Sequence, residues 1–187
     1  MKIFWLDFES TGIDPDKDKP LELAVSVADF NDPFNARPVY HAVMPLAPWI
    51  PSDLRPIVLE MHTKNGLLAD CSSWLAKQVR DVEEDLLRVV PLVGDPDERP
   101  VMGGSSIRFD YKFMKVHMPR VATRFEFREN DVRCYDVSVL KLYCRSMGMP
   151  QLKKAQAHRA QDDVLESIAH GKECTEWLRQ NLKRSTT

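Results

Sequence analysis

The sequence predicts an α/β fold in which helices cover both faces of a mixed β-sheet. Strand-like segments fill the first part of the chain, and helical patterns then alternate with short strands. Consecutive strands indicate an antiparallel edge, and strands separated by helices indicate a parallel centre. The chain has 187 residues, 43% of them hydrophobic, and no Gly/Ser- or Pro-rich linker divides it. We therefore expect one domain that spans residues 1–187.

The predicted strands begin at the N-terminus. Lys2–Phe8 is aromatic and aliphatic enough for a central strand, and turn residues follow it at once. In Leu21–Phe30 larger apolar residues alternate with smaller ones, which is typical of a second strand. The remaining predicted strands are a third strand at Val39–Met44, a short strand from Val101 and a strand near Asp131–Tyr135.

Several further segments have helical signals. In Trp74–Val90 apolar residues recur at helical spacing, and we interpret Trp74, Leu75 and the later apolar residues as a face that packs in the core. Pro119 is expected to close a helix over Phe109–His117. The other predicted helices are Ser52–His62, Val137–Met147 and Arg159–Leu182.

Composition limits the classes of protein that fit. The net charge of −2 provides no global basic field for a long phosphate backbone, although a local basic groove remains compatible with it. No apolar run approaches the ~20 residues of a membrane span, so we expect a cytoplasmic protein. The cysteines form no CxxC pair or Cys/His cluster and are interpreted as reduced packing residues: Cys71, Cys134, Cys144 and Cys174.

Asp7 and Glu9 are the most informative acids of the sequence. Alternate residues of a strand point the same way, so their carboxylates would repel one another unless a cation lies between them. Two solvated acids at a strand end would give the same pattern. The apolar context FWLDF favours a metal site, because an acid inside such a run should not be ionised without a partner.

Two further clusters could contribute to such a site. His158 and Asp163 are separated so that a His in a loop and an Asp in the following helix can converge on one point. A helix-start His with acids favoured by the helix dipole, of which Asp162 is an example, fits the same spacing. Asp110 follows a short strand near the start of a helix, where an ordinary helix-start acid is also expected.

Together the three clusters resemble the motifs of the DEDDh exonucleases, a branch of the ribonuclease H-like superfamily. Asp7-Phe8-Glu9 is similar to the first motif, Ser106-x₃-Asp110 to the second and His158-x₄-Asp163 to the third. Within the family, the segments WLDFESTGID, EMHTKNGL, GSSIRFD, DVSVLK and HRAQDDVLES resemble patterns of the oligoribonucleases. The resemblance implies a five-stranded mixed sheet flanked by helices, and it implies a homodimer that cuts short single-stranded RNA or DNA from the 3′ end.

The resemblance also implies which residues carry the reaction. Two Mg²⁺ or Mn²⁺ ions, which prefer carboxylate oxygen, would be bound by Asp7, Glu9, Asp110 and Asp163. His158 would take the proton of the attacking water, since imidazole side chains in general suit the role of a base near neutral pH. Contacts to the terminal nucleotide or its phosphate are expected from Ser10, Thr11, Gly12, Ile13, His62, Ser106, Arg133 and Ser138.

Two positions differ from the pattern of these relatives. Ile57 stands where they often carry a Trp, and Val132 stands where the second subunit often supplies an aromatic residue. Because a stacked aromatic contributes ~1–3 kcal/mol per base, both changes weaken the expectation of very short RNA as substrate. A 3′→5′ DNA exonuclease of proofreading, repair or phage type is the alternative within the class. An inactive nucleic-acid-binding module is the alternative outside it.

Overall fold

The computed structural model describes residues 1–46, 54–155 and 157–184. Its five-stranded sheet has the order β3-β2-β1-β4-β7, and a separate ribbon pairs β5 with β6. The strands are β1 (Lys2–Ser10), β2 (Pro20–Asp29), β3 (Asp32–Val43), β4 (Val101–Gly104), β5 (Glu126–Arg128), β6 (Asp131–Val132) and β7 (Cys134–Asp136). The helices are α1 (Pro56–Lys64), α2 (Leu67–Cys71), α3 (Val79–Val89), α4 (Arg108–His117), α5 (Pro119–Phe125), α6 (Val137–Ser146) and α7 (Ala160–Arg184).

The sheet is mixed in the way that the sequence predicts. β1 pairs antiparallel with β2, and β2 pairs antiparallel with β3. On its other side β1 pairs parallel with β4, which in turn pairs parallel with β7. The prediction of an α/β fold with a five-stranded mixed sheet flanked by helices is therefore confirmed.

The central strand β1 is buried on both faces. Phe4 and Phe8 belong to a cluster on the face covered by α3, α4 and α5, whereas Ile3 and Trp5 pack against α7 on the opposite face. Because side chains alternate along a strand, Asp7 and Glu9 continue the face of Trp5. The sequence of β1 therefore directs both acids towards α7.

The predicted core face of the helix over 74–90 is wrong at its start. Trp74 is 90% exposed and Leu75 is 67% exposed, and the helix begins only at Val79. The backbone N–H of Lys77 donates to the carbonyl of Val43 at 2.9 Å, so the chain reaches α3 along the end of β3 and not as a helix. Trp74 and Leu75 have the same spacing as the apolar residues of α3, although they lie in this connection and not in the helix.

Other boundaries also differ from the predictions. Pro119 does not only end α4; it occupies the first turn of α5, where its fixed φ suits a helix start. Pro56 likewise begins α1, and positions 52 and 53 of the predicted helix lie outside the described residues. The packing role predicted for all four cysteines fails for Cys134, which is exposed on β7 at the edge of the sheet.

Candidate active site

One end of the sheet brings the predicted acids together. Asp7 and Glu9 lie at the carboxyl end of β1, and Glu9 is buried. Asp163 lies in the first turn of α7, which packs on the same face of β1. Ligand atoms of Glu9, His158 and Asp163 lie within 4.8 Å of one another.

Asp110 reaches the same strand from the other side. It belongs to the first turn of α4, directly after the loop that follows β4. Its Oδ1 accepts a hydrogen bond of 2.9 Å from the backbone N–H of Phe8, which lies between Asp7 and Glu9. The carboxylate is thereby fixed beside the end of β1, although it comes from a distant part of the sequence.

The environment of these carboxyl groups opposes their ionisation. Burial raises the pKa of Asp7 well above its ordinary value, and the charges of Asp110 and Asp163 add to the rise. Burial, together with the neighbouring carboxylates, raises the pKa of Glu9 to about 9. Burial also raises the pKa values of Asp110 and Asp163. The four acids therefore need a positive charge among them to be ionised together at neutral pH.

His62 is placed directly behind Glu9. It lies on α1, it is fully buried, and its Nε2 is 3.3 Å from the Ser10 carbonyl oxygen and 3.7 Å from Glu9 Oε2. Burial lowers its pKa, which favours the neutral imidazole. The predicted residues Ser10 and His62 thus adjoin the acids, on the side of the site that α1 covers.

The loop after β1 has a defined shape that exposes Ile13. Thr11 Oγ1 donates to Asp18 Oδ1 at 3.1 Å, and the backbone N–H of Asp14 donates to Asp18 Oδ2 at 2.9 Å. A Cβ at Gly12 would collide with the Asp18 carboxylate, which explains the glycine. Ile13 is 70% exposed in this loop, so an apolar side chain projects into solvent shortly after the end of β1.

Ser106 and Ser138 form a second polar pair near Asp110. Their hydroxyl oxygens are 3.2 Å apart, and Ser106 has a positive φ of 60°. Asp136 Oδ1 accepts from the backbone N–H groups of both serines, at 3.2 Å and 2.8 Å. One carboxylate at the end of β7 therefore fixes the loop of Ser106 and the start of α6.

Arg133 is engaged within its own chain. Its Nη2 donates to Asp97 Oδ1 at 2.5 Å, its Nη1 donates to the Pro96 carbonyl at 3.1 Å, and its guanidinium lies 4.6 Å from the centre of the Phe127 ring. The guanidinium is thus occupied by the turn over Pro96–Glu98, and the structure does not bring it to the cluster of Glu9, His158 and Asp163.

Sequence reasoning missed three residues that adjoin the acids. Glu22 on β2 is opposite Glu9, Arg159 pairs with Glu22, and Asn65 contacts His158. An acid in the apolar strand PLELAV is the same signal that singled out Asp7, and it could have identified Glu22. The roles of Arg159 and Asn65 depend on contacts between distant segments, which no local pattern indicates.

The mixed five-stranded sheet with its flanking helices forms a ribonuclease H-like fold. The chain matches the model of the RNase_T family, described as Exonuclease, over residues 4–170. The chain belongs to this exonuclease family, whose members are 3′→5′ exonucleases that depend on divalent metal ions.

Curated relatives point to one branch of the family. An oligoribonuclease of Haemophilus ducreyi is 30% identical over 172 residues, which are 89% of this chain and 88% of the relative. An oligoribonuclease of Chromobacterium violaceum is 30% identical over 89% of each chain. A probable oligoribonuclease of Schizosaccharomyces pombe is also 30% identical, and the match covers 64% of its length.

Solved structures support the fold. Exonuclease I of E. coli in complex with a dT13 oligonucleotide gives a TM-score of 0.68 at 15% identity, covering 98% of this chain and 43% of that chain. Exonuclease I of Methylocaldum szegediense gives a TM-score of 0.64 at 18% identity, covering 96% of this chain and 40% of that chain.

In the described ranges, none of the helices is apolar over a length that could cross a membrane.

Proposed function

We propose that this chain is a metal-dependent 3′→5′ exonuclease that releases nucleoside monophosphates from short single-stranded oligonucleotides, as its oligoribonuclease relatives are named for doing. The observation that carries the proposal is the convergence of Glu9, His158 and Asp163 from separate elements within 4.8 Å. Family membership supports the reaction, and the geometry supports these particular residues as the ones that perform it.

The donor set fits hard divalent cations such as Mg²⁺ or Mn²⁺. It consists of carboxyl groups whose pKa values are raised by burial and by repulsion between neighbouring carboxylates. Bound cations would remove this repulsion. In this proposal the ions polarise the scissile phosphate and activate water when they are bound. The residues that would hold them are Asp7, Glu9, Asp110 and Asp163.

His158 is the proposed general base. Its ring lies beside Glu9 and Asp163, and it is half-buried in the loop just before α7, where it can face both the acids and solvent. It would take the proton of the attacking water, and the buried imidazole of His62 would support the opposite wall of the site. Proton removal by His158 is the step that this chain's own side chains supply.

A cavity of about 540 Å³ next to His158 is the proposed position of the terminal nucleotide. Its lining includes Ile57, Met61, Lys64 and Asn65. Ile57 is 72% exposed, so a base packed on it gains apolar contact without aromatic stacking. Ile13 would separate the last bases, and backbone or hydroxyl groups of Ser10, Thr11, Gly12, Ser106 and Ser138 would contact the nucleotide.

A DNA exonuclease remains the second candidate function. It is favoured by Ile57, because the substitution of an aromatic by an aliphatic residue reduces the advantage of very short RNA. An inactive nucleic-acid-binding module is disfavoured, since binding alone does not require three buried carboxyl groups and a half-buried one beside a histidine.

A homodimer is the proposed assembly. Val139, Leu142 and Tyr143 on α6 are exposed, and α6 follows directly after β7, the edge strand of the sheet. Exposed apolar residues at helical spacing beside an open strand edge suit a second copy of the chain. In such a dimer Arg133 of one copy would need to leave Asp97 to reach the substrate of the other.

The experiment that tests the proposed function is product analysis on 5′-labelled RNA and DNA of matched sequence. With Mg²⁺ or Mn²⁺ the proposal predicts a ladder that shortens from the 3′ end and releases mononucleotides. Faster cleavage of RNA dinucleotides than of longer DNA supports the oligoribonuclease assignment, and the reverse order supports the DNA exonuclease. Metal binding without any cleavage would overturn both.

A further inference from the structure

Glu22 is a buried carboxylate that the proposed reaction does not use. It lies on β2 opposite Glu9 and is only 1% exposed. Its carboxylate accepts hydrogen bonds from Arg159, with Nε at 3.1 Å and 3.2 Å from the two oxygens and Nη2 at 2.8 Å from Oε1. An additional negative charge beside the metal-binding acids is unfavourable. Because Glu22 is nevertheless buried there and hydrogen-bonded to Arg159, we looked for a role in the contacts that it makes.

These contacts fix the start of α7. Glu22 Oε2 also accepts a hydrogen bond of 2.9 Å from the backbone N–H of Ala160, the first residue of α7. Arg159 Nη2 donates to Asp70 Oδ2 at 2.9 Å as well, which ties the same guanidinium to α2. Since Asp163 lies in the first turn of α7, its distance from β1 depends on this anchoring.

The backbone of His158 is held by the same group of contacts. His158 has a φ of 50°, in the left-handed region that a residue with a side chain rarely adopts. The side-chain amide of Asn65 donates to the carbonyl oxygen of His158, and Arg159 Nη1 donates to the Asn65 carbonyl at 3.3 Å. A strained backbone conformation persists only where surrounding contacts hold it in place. Here the hydrogen bonds of Asn65 and Arg159 hold the backbone of His158.

We propose that Glu22, Arg159 and Asn65 are positioning residues for the reaction. Asn65 sets the backbone of His158, and Glu22 with Arg159 sets the start of the helix that carries Asp163. This inference rests on the proposed function, in which His158 is the base and Asp163 a metal ligand. It assigns to one residue on β2, one directly after α1 and one directly before α7 the task of holding two catalytic groups at their distance from Glu9.

Asn65 permits a test that separates positioning from general stability. Its Oδ1 accepts a hydrogen bond of 3.1 Å from the backbone N–H of Leu67, and its Nδ2 donates to His158. Asn65→Asp keeps an acceptor at nearly the same shape, removes the donor and adds a negative charge. Asn65→Ala removes both. Asn35→Asp is the matched control, because the Asn35 amide donates to Asp32 at 3.1 Å on the exposed strand β3.

The measurement is kcat and KM on a 5′-labelled oligonucleotide with saturating Mn²⁺ across a range of pH, with thermal midpoints for each variant. We expect Asn65→Asp to lower kcat about tenfold to a hundredfold at every pH, as displacement of a catalytic group by ~1 Å does. KM should stay within about twofold in Asn65→Ala, which adds no charge to the proposed nucleotide cavity, and the thermal midpoint of Asn65→Asp should fall less than that of Asn65→Ala. Asn35→Asp should behave as wild type.

Three results would overturn the inference. One is an unchanged kcat in either Asn65 variant. The second is recovery of Asn65→Asp at high pH, which would assign the loss to the added negative charge beside His158 and not to displacement. The third is an equal loss in Asn35→Asp. His158→Ala in the same assay tests the proposed function separately. If His158→Ala retains the wild-type kcat, His158 is not the base and the proposed function fails. If His158→Ala is inactive while Asn65→Asp is fully active, the positioning role fails and the proposed function stands.

Discussion

Glu9 and Glu22 lie opposite one another on β1 and β2, and both are buried, yet their pKa values move in opposite directions. Burial and neighbouring carboxylates raise the pKa of Glu9 to about 9. Burial alone would also raise the pKa of Glu22, but hydrogen bonds from His41 and Arg159 lower it to about 2. One acid has its cation within the fold, and the other lies among acids that bound metal ions would neutralise.

The low pKa of Glu22 predicts a loss of stability in acid. Because the folded pKa of about 2 is below the ordinary value of 4.5, ionised Glu22 stabilises the fold above pH 4.5 and this contribution disappears as the pH falls towards 2. The difference between the two pKa values corresponds to roughly 3 kcal/mol. Urea unfolding of wild type and Glu22→Gln should therefore show a gap at pH 7 that closes towards pH 2. A gap that is the same at both pH values would contradict this.

The raised pKa of Glu9 predicts the opposite trend for the metal-free protein. Its folded pKa of about 9 exceeds the ordinary 4.5, so protonated Glu9 is favoured in the fold and stability decreases as the pH rises from 4.5 to 9. In EDTA, Glu9→Gln should be more stable than wild type at pH 8, as measured by thermal midpoint. Addition of Mn²⁺ should raise the midpoint of wild type more than that of Glu9→Gln. An equal rise of the thermal midpoint in both proteins would show that Glu9 does not bind the metal ion.

Ile57→Trp should introduce an aromatic ring beside His158 on which a base can stack. Ile57 is exposed in the cavity proposed for the terminal nucleotide, and stacking contributes ~1–3 kcal/mol per base. We expect KM for an RNA dinucleotide to fall at least about fivefold, the lower end of that range, with kcat little changed. Leu92→Trp, at an exposed position in the connection after α3, is the control for a new surface aromatic. An equal change in both variants would count against the proposed nucleotide position.

Leu142→Glu should dissociate the proposed homodimer. Leu142 is 68% exposed on α6 in the monomer, and a charge buried at an interface without a partner destabilises association. Sedimentation analysis should give a dimer for wild type and a monomer for Leu142→Glu. Leu92→Glu, at another exposed leucine, should remain dimeric. A wild-type chain that sediments as a monomer would refute the assembly.

Much of the fold followed from local sequence patterns. Residues Lys2–Phe8 gave a buried central strand as expected, and the helix predicted over Phe109–His117 differs by one residue from α4. Both segments have strong periodicity and clear boundaries. The exposure of Trp74 could not be predicted, because its spacing matches that of α3, whereas in the fold Lys77 is hydrogen-bonded to Val43 at the end of β3.

The candidate site was predictable in part. Asp7 and Glu9 could be identified from their apolar context, and Asp110 only through resemblance to a family. The partner of Glu22, in contrast, is Arg159, which lies 137 positions away. Such a pair is formed by the fold as a whole, so neither member is recognisable as part of the site before α7 is placed on the sheet.

The most direct test of the central claim compares two adjacent acids of α7. Asp163 is buried beside Glu9, whereas its neighbour Asp162 is exposed. Asp163→Asn and Asp162→Asn carry the same chemical change, and both proteins should fold. On a 5′-labelled oligonucleotide with Mn²⁺, we predict that Asp163→Asn loses at least about a hundredfold in kcat, as removal of an essential catalytic group does, and that Asp162→Asn cleaves as wild type. Cleavage at the wild-type rate by folded Asp163→Asn would contradict the account.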